Sequence, residues 1–424
     1  MPLDGDETRM TQPSVQDSSL DGRSVAFRRH VFYIHGFDPR GAPIYHGHFR
    51  GGLDAASRRW QRRITVREEP EAAVATGAWT VDAIGKATGQ RVETRYEMLV
   101  WTDIVSRYWF PRRQVRLAIE SFRFAFATWR RGILKRFRRP AWALYVAILM
   151  TPALVLLGVL VALAAVAVTL ATVSVAASSL GATAGVSAAA AIFASIAMLV
   201  LLAMGWNRLK AWLNIWWVTR FLGYLRGMAD GAFERSEERA EAFAERMFEV
   251  WRQGEVDEIL VVGHSLGAIS LVRGGARLLR RLSEAATGDP HGASGGPRIV
   301  LLTLGHTVPL YTLLGGDAQF RRDLADIAAS ERLLVLDVTS GSDPGSSCRI
   351  PLVEGIDLGD RPSRVISREP DFHDILEPET FRRIRMRPLD FHFQYLKPSE
   401  RGHGFDYFEL VTRPRPIETS VAQP

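Results

Sequence analysis

Apolar and polar positions divide the chain into three regimes. From Ala141 to Asn207 no Asp, Glu, Lys or Arg occurs, and one membrane-crossing helix needs about 20 apolar residues. The stretch therefore predicts two spans and a connection. Small residues cluster around Ser178, Ser179, Gly181 and Gly185, where hydropathy dips, so the spans are expected over 142–171 and 186–206 as a helical hairpin. Buried helices of a soluble protein with that length and no charged face are rare. On either side the pattern changes: short apolar runs alternate with amphipathic segments.

His30–Ile34 is a short apolar run that reads as a buried strand. Phe49 to Ile64 has helical character, and Arg91 to Trp101 suggests the next strand. Arg112 to Phe137 is a basic, aromatic amphipathic helix leading into the hairpin, and Asn207 to Arg252 leads out. Beyond it come strands at Glu258–Val262, Arg298–Leu304 and Arg332–Val338, with helices at Leu266–Leu282 and Phe320–Ala329. Alternation of this kind predicts an α/β fold, a mostly parallel sheet with helices on both faces. Such sheets place their sites at the carboxyl ends of the strands.

The resulting organisation is a polar N-terminal segment, 1–29, expected to be disordered and without a signal peptide. Segments 30–111 and 253–412 form one α/β domain, 112–252 an inserted helical region, and 413–424 a flexible tail. The single cysteine, Cys348, excludes an intramolecular disulfide framework.

A net charge of +7 could indicate nucleic acid. Its distribution argues otherwise. Arg130, Arg131, Lys135, Arg136, Arg138 and Arg139 precede the hairpin and Arg208 and Lys210 follow it, which is a juxtamembrane pattern suited to lipid headgroups. No nucleic-acid recognition motif is present. Since both outer ends are basic and the connection is not, both termini and the α/β domain are expected on the cytoplasmic side of an inner (plasma) membrane. Trp142, Tyr145, Trp206, Trp212, Trp216 and Trp217 supply interfacial aromatics. Small residues such as Gly158, Ala162 and Ala191 would let the hairpin pack on itself or on another copy, giving a homo-oligomer. The absence of ionisable groups inside it argues against a transporter.

The chemistry centres on Gly263-His264-Ser265-Leu266-Gly267. Gly-x-Ser-x-Gly alone is weak: Gly292-Ala293-Ser294-Gly295-Gly296 fits it too, but in a Gly-, Pro- and Ser-rich loop. At Ser265, however, an apolar run, Asp257 to Val262, enters and a helix leaves. A sharp strand-to-helix turn there would expose the hydroxyl as a nucleophile beside a helix N-terminus. A serine at its free pKa reacts poorly, so a histidine must take its proton and a carboxylate must orient that histidine.

This elbow, with His35-Gly36-Phe37 after an early strand and a later Asp and His, resembles the α/β-hydrolase superfamily, lipase-like esterases in particular. The resemblance covers roughly His30 to Val338 outside the insert. It implies an oxyanion hole formed by the backbone N–H groups of Leu266 and Phe37, with His35 shaping that loop, and the chain order Ser, Asp, His. Asp343, in the loop after the strand ending at Val338, is the favoured acid and Asp337 its rival. His392, in Phe391-His392-Phe393-Gln394-Tyr395-Leu396, is the favoured base ahead of His403 and His373; His264 and His306 are read as structural. No convincing last strand is found before His392, with Arg364–Ser367 the best candidate.

The expected function is hydrolysis of a carboxylic ester or thioester through an acyl-enzyme, with the anchor suggesting lipid or acyl substrates. No metal or organic cofactor is implied. The competing expectation is a non-catalytic membrane adaptor that keeps the fold.

Overall fold

The computed structural model describes residues 27–67, 77–109, 114–231, 235–288, 296–385 and 387–418. The expected disorder of 1–29 falls mostly outside them, but Phe27 to Arg29 already belong to the first strand. Eight strands form one sheet: β1 (Phe27–Ile34), β2 (Arg62–Val66), β3 (Ala78–Gly85), β4 (Arg91–Met98), β5 (Glu258–His264), β6 (Arg298–Leu304), β7 (Leu333–Val338) and β8 (Val365–Arg368). Their order is β2-β3-β4-β1-β5-β6-β7-β8. The run from β4 to β8 is parallel, and β2 and β3 add an antiparallel edge. This is the α/β architecture the alternation predicts.

Every residue of β5 is buried, as befits the middle of a parallel sheet covered on both faces. Alternate side chains serve two cores. Phe32, Ile34, Ile259 and Val261 pack on one face with α7 (Ile215–Ala229), α8 (Arg235–Gln253) and α9 (Gly267–Gly288). Val31, Tyr33, Leu260 and Val262 pack on the other with α1 (Ala42–Arg59) and α15 (Tyr407–Thr412). The remaining helices are α2 (Thr102–Trp109), α3 (Gln114–Arg130), α4 (Ile133–Phe137), α5 (Trp142–Ser179), α6 (Ala184–Trp212), α10 (Val308–Leu313), α11 (Ala318–Ala328), α12 (Phe372–Ile375), α13 (Pro378–Ile384) and α14 (Pro388–His392).

Both hairpin helices, α5 and α6, are long and apolar enough to cross a membrane. Burial separates them from the core helices of a soluble protein: the most apolar 18-residue window is 0% buried in α5 and 17% buried in α6. Each helix outruns its expected span: α5 continues through the small residues to Ser179, and α6 continues past the basic Arg208 and Lys210 to Trp212. At 38 residues α5 is about 57 Å long, well beyond the hydrocarbon layer's roughly 30 Å. Its buried residues, Leu144, Ala147, Ile148, Thr151 and Pro152, all lie in the first three turns, which pack on the α/β domain. The exposed apolar stretch begins only at Ala153.

Four further expectations are corrected. The helix expected over 49–64 ends at Arg59, because Gln61 turns the chain into β2, where Ile64 faces the core. The expected strand Arg91 to Trp101 stops at Met98, and Trp101 instead precedes α2. The segment after the hairpin is not one helix: Asn214, in a left-handed conformation, separates α6 from α7. Finally, the chain is not loose from 413. Arg413 and Ile417 are buried, the carbonyls of Arg413 and Arg415 accept from Arg29, and Ile417 N–H donates to Glu258. Arg29 and Glu258 form a fully buried pair at 2.7 Å that this C-terminal segment helps to satisfy.

Candidate active site

The chain order reverses about β1 and β5: from β1 it proceeds towards β4, from β5 towards β6. The crevice beyond the carboxyl ends of such a strand pair is the usual ligand position of open α/β sheets. His35-Gly36-Phe37 leaves β1 there, and Ser265 leaves β5. The two loops touch closely, since a Cβ on Gly36 would sit 2.9 Å from the Ser265 Cβ.

Ser265 has φ 56°, a left-handed conformation that costs a side-chain-bearing residue energy. The surrounding glycines make that turn feasible. A Cβ on Gly267 would meet the Ile34 carbonyl oxygen at 2.3 Å, and one on Gly263 the Ala268 Cα at 2.8 Å. The backbone, not the side chain, thus dictates both glycines of the elbow. Ser294 and its matching pattern lie outside the described residues.

His392, at the end of α14, bonds through Nδ1 to both carboxylate oxygens of Asp343, each at 3.0 Å. Asp343 is buried, and its Oδ1 also accepts from Gly345 N–H at 2.8 Å. The acid loop is fastened by Tyr395, whose hydroxyl accepts from Ser340 N–H at 2.9 Å. Burial, helped by the Asp343 charge, holds that phenol well above its ordinary pKa, so it stays neutral. With Nδ1 engaged by Asp343, the imidazole presents Nε2 as its remaining nitrogen, and His392 and Ser265 line the same cavity of about 520 Å³.

The neighbouring histidines are held neutral. His264 is buried, and its Nε2–H donates to the His392 carbonyl at 2.9 Å. Desolvation and the nearby His392 push its pKa well down. His35 Nδ1–H donates to the Gly36 carbonyl at 2.7 Å, which also accepts from Asp38 N–H at 2.8 Å. Its Nε2 accepts from Thr102 Oγ1 at 3.1 Å, and burial lowers its pKa to about 4. Two donors on that carbonyl fix the trans peptide between Gly36 and Phe37, and hence the opposite direction of the Phe37 N–H. Among the described residues neither Phe37 N–H nor Leu266 N–H has an acceptor.

The other candidates stand apart. His373 and His403 are exposed and do not line the cavity. Asp337 lies in β7, accepts from Thr303 Oγ1 at 2.9 Å and has His306 Nε2 2.6 Å from its Oδ1. The last strand, β8, pairs with β7 one residue away from its expected range. Sequence reasoning did not find the clamp of buried Asp38 by Arg40, whose guanidinium makes contacts of 2.7–3.1 Å with the carboxylate and lies over the Trp217 ring. An Asp-x-Arg triplet in a loop gives no signal for it. Comparison with protein-family models, with curated proteins and with solved structures gives no match for this chain, so the chemistry of the cavity rests on the arrangement of Ser265, His392 and Asp343.

Proposed function

We propose that the chain is a membrane-anchored serine hydrolase of the α/β-hydrolase type, acting on carboxylic esters or thioesters. One observation carries the reading: a serine held at positive φ between a buried strand and a helix opens onto the same cavity as a histidine bonded to a buried aspartate. In the reaction, Ser265 Oγ attacks the carbonyl carbon while His392 Nε2 takes its proton. The N–H groups of Phe37 and Leu266 hold the oxyanion, a contribution of about 3 kcal/mol per donor in such sites. Collapse breaks the bond to the leaving alcohol or thiol, which takes the proton from His392. Water then repeats the sequence on the acyl-enzyme and releases the acid. Asp343 keeps the imidazole in the tautomer with its proton on Nδ1.

The basic flanks of the hairpin support an orientation with the catalytic domain and both termini in the cytoplasm, anchored in the inner membrane. The decisive test is labelling of the detergent-solubilised protein with a fluorophosphonate probe. Labelling is expected in wild type and in Ser294→Ala, and lost in Ser265→Ala. A folded wild-type protein that takes no label would instead favour an adaptor.

A further inference from the structure

The cavity at Ser265 is not closed by the α/β domain alone. One wall is the first turns of α5, where Trp142, Val146 and Met150 recur every fourth residue and so share a helix face. The facing wall comes from α7, through Trp217 and Phe221. Trp142 and Val146 are themselves 57% and 46% exposed, so this wall runs out of the cavity to the surface. Met150 lies one helical turn, about 5 Å, before Ala153, where the exposed apolar stretch begins. The helix that would leave the catalytic domain for the membrane is therefore also part of the site's lining.

A second surface places the bilayer on the same side. Helix α3 packs on α5 and α7 through buried Leu117, Ser121, Phe124 and Thr128. Its outer face exposes Val115, Ile119, Phe122, Phe126 and Trp129, from 43% to 72% each. Spacings of four, three, four and three residues make this one stripe, and Arg116, Arg123 and Arg130 flank it. An apolar stripe with arginines beside it is the pattern of a helix lying in the membrane interface.

We infer that the substrate is a bilayer lipid ester that reaches Ser265 sideways from the acyl-chain layer, with its chain laid along Trp142, Val146 and Met150. This rests on Ser265 being the nucleophile. A soluble ester would have no need of a wall continuous with the span. A lipid can slide along it without its chain crossing water, so its methylenes stay in apolar surroundings throughout.

The test uses the full chain in phosphatidylcholine vesicles, with Val146→Trp and Met150→Trp filling the wall. The vesicle probe is a phospholipid with a pyrene-labelled long acyl chain, and p-nitrophenyl butyrate is the short, soluble ester. Long-chain turnover should fall about tenfold or more in each variant, a loss in the range set by methylene-scale pocket changes. Butyrate turnover should fall much less than long-chain turnover, and a thermal melt of each variant reports folding. Unchanged long-chain turnover, or an equal loss on both esters in a folded variant, would overturn the inference. Failure of wild type to label at all would instead remove the hydrolase reading. Occupancy is tested without turnover by crosslinking from a phosphatidylcholine with a diazirine at one chain end. Adducts are expected within 142–150 and 215–222, and adducts confined to 153–206 would count against lateral access.

Discussion

Among the described residues two Asp–His pairs lie at the carboxyl edge of the sheet, and only one of them has its imidazole on the cavity that Ser265 lines. Asp337 and His306 approach to 2.6 Å, with side chains 3% and 0% exposed. His306 Nδ1 accepts from Val308 N–H at 3.2 Å, and the ring is fully buried away from the cavity. Asp343 and His392 are separated by 3.0 Å, with the aspartate equally buried but the imidazole 11% exposed at the cavity. The difference lies in the backbone that carries the acid. A strand residue such as Asp337 delivers its carboxylate within the sheet, whereas Asp343 lies beyond the strand end and reaches His392, whose ring lines the cavity. Proximity of an acid to an imidazole does not make a site; a free ring nitrogen facing a cavity with a nucleophile does.

The largest effect that can break this comparison is on turnover. Asp343→Asn should lower kcat by about 10⁴, since the imidazole loses the partner that sets its tautomer, and His392→Ala should lower it at least as much. Asp337→Asn should leave turnover per folded molecule within a few-fold, because its amide oxygen can still face His306 Nε2 and neither residue lines the cavity. Ester hydrolysis normalised to the total amount of folded protein, with thermal melts alongside, separates the two. Equal kinetic losses from Asp337→Asn and Asp343→Asn would show that the pairs had been wrongly distinguished.

A smaller effect involves a third buried imidazole. His35 has its pKa lowered to about 4 by burial, against 6.5 when exposed in the unfolded chain. Between those values the unfolded state binds the additional proton, so stability falls as pH drops from about 6.5 to about 4. Some two and a half pH units at about 1.4 kcal/mol each set an upper value of about 3.5 kcal/mol for this loss. Melting the solubilised protein across that range should show it, and His35→Gln should reduce the slope while the share of the other buried imidazole, His264, stays. An unchanged profile in the variant would mean that His35 is not the group responsible.

How much of this was legible follows the physics of each segment. Ser265 could be read because β5 is an unbroken apolar run and its two flanking glycines answer to backbone contacts. Asp343 and His392 could be ranked but not paired, because 49 residues separate them and their meeting depends on how α14 docks. Of the edge strands, β2, which carries Arg62 and Arg63, was hidden, and β8, which buries none of its four residues, showed only as the short candidate Arg364–Ser367, because neither has the alternation of a half-buried strand. The first turns of α5 were read as membrane because Leu144, Ala147 and Ile148 suit a protein core and a lipid tail equally well. Only packing distinguishes the two solvents there.

The smallest of these effects probes the geometry of the catalytic pair without deleting either member. Gly345, two residues after Asp343, donates its N–H to that carboxylate, and a Cβ added there would lie 2.6 Å from His392 Nδ1 and 2.8 Å from its Cε1. Those atoms belong to a planar ring already fixed by Asp343, so the imidazole must move by several tenths of an ångström or the loop must shift with it. Misplacement by 1 Å costs about 10²-fold in reactions governed by orientation, so a shift of a few tenths costs less. Gly345→Ala should therefore lower kcat by about tenfold, measured on protein whose thermal melt shows that it is folded. A Gly345→Ala protein with full activity would mean that His392 tolerates displacement, and hence that its alignment on Asp343 does not govern the rate.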